Sequence, residues 1–265
     1  MTPKWTDPFV VANVAVALAV LSASVVSPWK YTRVTGRCSS NWIDIRFPDN
    51  KPICCDETNH APCYAGMGLV HDLTSGYGAW FLPIVAVVVN LALTTFLPTV
   101  SDRHATTASK RFCLYVSLMA YRTVVLYGGL NLIEKWLFPP EATCWYARLR
   151  RNKRCIDPFD HADHIVLFIT HFVAIAAFEW KILQRDPSVS SLKRTCLQAW
   201  LGGLFALSLY AIFHTAYSFH SLWENVVALA IGQSCVMFPL FLVSEDQLPL
   251  SWLRLDQFLA KRRVK

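Results

Sequence analysis

Two histidine-rich segments carry the residues best suited to chemistry. One is Asp160-His161-Ala162-Asp163-His164; the other runs from His214 through Tyr217, His220 and Ser221 to Glu224. Each contains a carboxylate and an imidazole at i,i+4 spacing, Asp160 with His164 and His220 with Glu224, so on a helix each pair shares one stripe a turn apart. A carboxylate so placed fixes the tautomer and orientation of the ring. Two imidazoles with opposite tasks, one nucleophile and one general acid, move a phosphoryl group through a phosphohistidine. The same residue types admit blander chemistry. Asp160 or Asp163 suits the cap of a helix start, and His161, His164 and His171 with His220 form a candidate metal-ligand set at helical spacing.

Cations accompany these segments. Arg148, Arg150, Arg151, Lys153 and Arg154 crowd the stretch before the first one, where they would steer a multiply phosphorylated substrate or touch lipid headgroups. Arg122 stands alone inside an apolar run, a costly position unless the charge is paired or hydrated. It either binds phosphate in a recessed pocket or pairs with Glu179 or Glu224.

The elements that must position these groups follow from composition. The chain has 265 residues, 54% hydrophobic and only 16% charged, with mean hydropathy +0.34. A soluble domain carries about a quarter charged residues. A helix needs about 20 apolar residues to cross a ~30 Å hydrocarbon layer, and six runs approach that length, near 9–26, 78–98, 112–133, 164–181, 196–217 and 223–243. The expected fold is an all-α membrane protein, one six-helix bundle with two longer loops. Continuous runs exclude a transmembrane β-barrel, and their number excludes a soluble enzyme, a disordered chain and a coiled coil. The first run has some marks of a signal peptide, Lys4 before it and Ser22-Ala23-Ser24 within it, but its length and Asp7 favour a retained span.

Parity then places segments 28–76, 134–164 and 218–225 on one face, and the N-terminus, segments 98–111 and 181–195 and the tail 244–265 on the other. Lys and Arg number eleven on the first face and thirteen on the second, so the positive-inside tendency barely chooses. Cysteines choose more sharply. Cys38, Cys54, Cys55, Cys63, Cys144 and Cys155 all fall on the face that carries both histidine segments. An even set confined to one face suits disulfides in an oxidising lumen. Trp80, Trp136, Trp180, Trp223 and Trp252 near run ends suit an interfacial belt.

Phe159-Asp160-His161-Ala162-Asp163-His164 at the head of one span, with Thr215 to Asn225 before the last, resembles the fat storage-inducing transmembrane (FIT) family, which is related to lipid phosphatases of the phosphatidic-acid phosphatase type. The family pattern reads roughly FDxSGH, then YFH followed by a Glu four residues on. This chain keeps Phe159, Asp160, His164, Phe219, His220 and Glu224, and departs at Ala162 and Asp163, where the family tends to have Ser-Gly. The resemblance implies an endoplasmic reticulum protein with cytosolic termini and a lumenal site, acting as a fatty acyl-CoA diphosphatase that supports lipid-droplet formation. It implies His220 as nucleophile and His164 as acid and later base; spacing adds Asp160 and Glu224 as supporting carboxylates, and charge adds Arg122, Arg150 and Arg151 as candidate substrate contacts. No cofactor, metal or nucleic acid is expected; the partners are the acyl-CoA or a related phospholipid substrate and membrane lipids. Two rivals remain open: a non-enzymatic protein that binds or partitions diacylglycerol or triacylglycerol, and a metal-dependent membrane hydrolase.

Overall fold

The structure, a computed structural model, describes residues 6–26, 42–46, 52–56, 68–74, 77–95, 102–137, 161–186, 189–248 and 254–259. Helix α1 is Pro8–Val26, α2 the short Gly68–Thr74, α3 residues 77–95, α4 residues 102–137, α5 Asp163–Arg185, α6 Ser191–Phe219 and α7 Leu222–Ser244. Among the described residues five helices are long and apolar enough to cross a membrane, those containing Pro8–Val26, Thr106–Glu134, Asp163–Arg185, Ser191–Tyr217 and Leu222–Ser244; the apolar helix Tyr77–Ala92 is shorter. The chain is thus built as a multi-pass helical membrane protein. Among the described residues it departs from an all-α plan in a hairpin in the segment between α1 and α2. There β1 (Trp42–Arg46) pairs antiparallel with β2 (Pro52–Asp56), Trp42 opposite Asp56 and Arg46 opposite Pro52. The alternation Trp-Ile-Asp-Ile-Arg, with two β-branched residues, suits a strand.

Polar contacts between helices fix their directions. At one end Lys181 of α5 pairs with Asp7, just before α1, and with Glu245, just past α7, at 2.5 Å. Arg194 near the start of α6 donates to the Asp186 carbonyl at 2.9 Å at the same end. At the other end Asn225 of α7 donates to Ser24 Oγ of α1 at 2.9 Å and to the Ala216 carbonyl of α6 at 3.0 Å. Along α5, Asp163 meets Arg122 and Glu179 meets Arg111, so α4 runs antiparallel to it. His171 meets Ala79 and Glu179 meets Asn90, so α3 runs parallel to it. Successive long helices therefore alternate in direction, as parity requires.

Helix α5 is the axis of the bundle: 94% of its apolar window is buried, against 33% or less for the other four long helices. Its own Ile165, Phe168, Ile169, Val173 and Phe178 are at 1% exposure or less. Close approach to α7 is secured at Gly232, where a Cβ would lie 2.5 Å from Ile169 Cδ1. Small residues at such crossings let helices associate without a hydrophobic driving force from lipid. Four helices each contain a π-helical turn, at Tyr77–Phe81, Arg122–Gly129, Ile169–Val173 and Gln233–Met237. Such turns shift the register of the side chains beyond them and occur often at functional positions.

Candidate functional site

The end of the bundle that carries both histidine segments is organised by the entry into α5. Ala162 caps that helix with φ 49 and ψ 54, a left-handed conformation. It costs a non-glycine residue roughly 1–2 kcal/mol, which the packing of the fully buried Ala162 side chain must outweigh. The His161 backbone N–H donates to Glu134 Oε1 of α4 at 2.9 Å, and its ring Nδ1 lies 2.5 Å from the same oxygen. An ionised Glu134 holds the proton on Nδ1 and leaves Nε2 as the open position. His161 is 2% exposed. Its Nε2 stands 3.9 Å from Asp163 Oδ1 and has no hydrogen-bond partner among the described residues.

Asp163 does not act as the helix cap that its position suggests. Its carboxylate pairs with Arg122, whose Nη2 also donates to the Asp163 carbonyl at 3.1 Å. Arg122 is buried and opens the π-helical turn of α4; its guanidinium lies 5.2 Å from the Tyr127 ring centre. Its Nε has no hydrogen-bond partner among the described residues. The sequence expectation that Arg122 pairs with Glu179 or Glu224 is corrected. Glu179 is held at the other end by Arg111 Nε at 2.8 Å, by Tyr115 and by Asn90 at 2.5 Å. Glu224 turns to its own helix start.

That helix start defines His220. The connection from α6 to α7 is only His220 and Ser221, both extended. Ser221 and Glu224 form a capping box: Glu224 Oε2 accepts from Ser221 N at 2.8 Å and from its hydroxyl at 3.0 Å. The His220–Glu224 pair is therefore not a helical stripe as expected from spacing, because the helix begins after His220. Its Nδ1 sits 4.0 Å from Glu224 Oε2, and the ring is buried at 5% exposure. His164, in the first turn of α5, is exposed.

The first turns of α5 pack against α6, α7 and the Arg122 turn of α4. His161, Asp163, Arg122 and Glu134 thus gather directly, and His220 with Glu224 lies on the neighbouring helix ends. Asp160, Arg148, Arg150, Arg151, Lys153 and Arg154 lie outside the described residues, as do Cys38, Cys63, Cys144, Cys155 and Trp252. The histidines of the proposed metal set do not point together: His161 turns to Glu134, and His171 to the Ala79 carbonyl at 2.6 Å with Trp80 edge-on at 5.5 Å. Among the described residues no three His, Cys, Asp or Glu side chains converge as metal ligands. Glu134 and Arg111 escaped sequence reasoning because their partners lie 27 and 68 residues away.

Compared with known protein families, with curated proteins and with solved structures, the chain matches none.

Proposed function

We propose that the chain is a six-span lipid phosphohydrolase of the endoplasmic reticulum membrane, similar to the FIT family, which splits the diphosphate of fatty acyl-CoA to acyl phosphopantetheine and adenosine 3′,5′-bisphosphate. The shorter helix 77–95 is the sixth span, both termini are cytosolic, and the histidine end is lumenal. His220 attacks one phosphorus of the diphosphate, the other half leaves through the bridging oxygen with a proton from His164, and water activated by His164 then releases the half held on the imidazole as its phosphate monoester. Glu224 orients His220, Asp160 supports His164, and Arg150 and Arg151 attract the nucleotide. Phosphoryl transfer through a loose in-line transition state asks for positioning and cations more than for covalent chemistry.

The observation that carries this reading is that a buried imidazole, His220, lies on helix ends that pack against the start of α5, where a buried cation, Arg122, is also held. Ionisable groups so placed inside a membrane bundle are costly and are kept for function. The test is turnover of acyl-CoA by the detergent-purified chain, with both products identified by mass. His220→Ala should abolish it. Full activity in that variant removes His220 from the mechanism, and lipid-droplet support that survives loss of both His164 and His220 points to the neutral-lipid-binding rival.

A further inference from the structure

We infer that Ser24 and Asn225 are positioning residues for His220: together they lock the α6–α7 turn to α1, and through the backbone of that turn they set where the imidazole stands. The inference rests on the phosphohydrolase reading for its kinetic consequence, while the lock itself is read from contacts alone. Helix α6 ends at Phe219 and α7 begins at Leu222, so only His220 and Ser221, both extended, carry the chain from one helix to the next. A link so short has few ways to close, and the crossing of the two helices decides among them. Asn225 fixes that crossing. Its Nδ2 donates to the Ala216 carbonyl of α6 at 3.0 Å and to Ser24 Oγ of α1 at 2.9 Å. Ser24, Ala216 and Asn225 are all 0% exposed.

The chemistry of each group accounts for the arrangement. A helix leaves its last four carbonyls without intrahelical donors, and Ala216 stands in the last turn of α6. Asn225, in the first turn of α7, supplies a donor from the facing helix. Ser24 sends its hydroxyl proton to the Val20 carbonyl at 2.7 Å, which leaves its oxygen free to accept from Asn225. Hydrogen bonds of this kind join helices inside a membrane, where lipid gives no hydrophobic drive to associate. Glu224 holds the other side of the turn: Oε2 accepts from Ser221 N and from its hydroxyl, and stands 4.0 Å from His220 Nδ1. The stretch Ser22-Ala23-Ser24, whose small residues have the look of a cleavage site in the sequence, thus gives Ser24 to the support of His220. Placement matters to in-line transfer, because a shift of about 1 Å caused by a residue away from the chemistry costs roughly 10²-fold in rate.

The experiment takes the full-length chain in detergent as wild type, Asn225→Leu and Ser24→Ala. It measures acyl-CoA turnover and the rate at which diethyl pyrocarbonate modifies His220, resolved by fragment mass from His161 and His164. Asn225→Leu keeps the size of the side chain and removes both donors. It should lower kcat roughly 10²-fold with KM unchanged, and should change the modification rate of His220 while those of His161 and His164 stay as in the wild type. Ser24→Ala, which keeps the bond to Ala216, should shift both readouts in the same direction and by less. The double variant should be no worse than Asn225→Leu, because the two residues act through one lock. Equal acceleration at all three histidines, or an unchanged His220 rate in variants that elute like the wild type, would overturn the inference. If Asn225→Leu aggregates, Ser24→Ala decides, and wild-type behaviour of its His220 overturns the inference as well. A wild type that turns over no acyl-CoA sinks the phosphohydrolase reading and leaves the lock to be judged on His220 modification. Turnover with kcat unchanged in both variants sinks the inference and leaves that reading standing.

Discussion

Arg111 grips Glu179 with two guanidinium nitrogens, Nε donating to Oε1 at 2.8 Å and Nη2 pairing with Oε2, in a site where both side chains are 7% exposed or less. Tyr115 and Asn90 complete the shell around the carboxylate. Removing one partner of a buried pair leaves an uncompensated charge, which costs about 3–5 kcal/mol, whereas replacing both by apolar groups is often neutral. Glu179→Leu should therefore destabilise the bundle by that amount. Adding Arg111→Leu should restore much of it. Denaturant titration in mixed micelles reads both, and a double variant as unstable as the single one would mean that the pair itself is strongly stabilising.

The crossing of α5 and α7 at Gly232 gives a packing prediction. A Cβ there already meets Ile169 at 2.5 Å, so a branched side chain must push the helices apart. Overpacking of this kind typically costs about 1–3 kcal/mol. Gly232→Val should lower the unfolding midpoint, and Ile169→Ala in the same chain should recover part of the loss. No recovery would mean that the strain lies elsewhere.

His164 and His161 have different surroundings, and kinetics should separate them. His164 is exposed in the first turn of α5, while His161 is held by Glu134. If His164 is the general acid, His164→Ala should lower the rate roughly 10²- to 10⁴-fold. The loss should shrink with a leaving group that needs no proton. Equal loss for good and poor leaving groups would mark His164 as structural.

Much of this architecture was legible, for physical reasons that also explain the misses. Apolar runs reveal membrane helices because lipid forces every backbone group to be satisfied within the helix. The runs around Phe9, Ile165 and Val226 became α1, α5 and α7. Side-chain pairing across the bundle is not periodic, so Arg122 found Asp163 instead of the two glutamates that spacing offered. Asp163 read only as a candidate cap and a departure from the family pattern, because its partner lies on a different helix. The Ser221-to-Glu224 capping box was visible as an S-x-x-E signature. Reading His220 and Glu224 as one helical stripe instead put the helix start too early. Arg111 stands just before the apolar run 112–133, so nothing in its neighbours marks its place in the core.

Sidedness is the expectation on which the lumenal assignment depends. Lys181 joins the start of α1 to the end of α7 at one end of the bundle, and Asn225 joins the end of α1 to the start of α7 at the other. The second end carries His161, Asp163 and His220, and the chain leaves α1 there toward the strand that holds Cys54 and Cys55. The helix ends beside Asp7 and Glu245 and the end that carries the histidines therefore face opposite compartments if the long helices cross the membrane. A glycosylation acceptor built into the 28–76 segment should be modified in microsomes, and one in the 244–265 tail should not. After reduction, an impermeant thiol reagent should reach Cys54 and Cys55 only when detergent opens the vesicles. A glycosylated tail together with labelling of those cysteines from outside would invert the protein. His220 would then meet cytosolic acyl-CoA, the case for disulfides in the 28–76 segment would fail, and the lumenal assignment would fail with it.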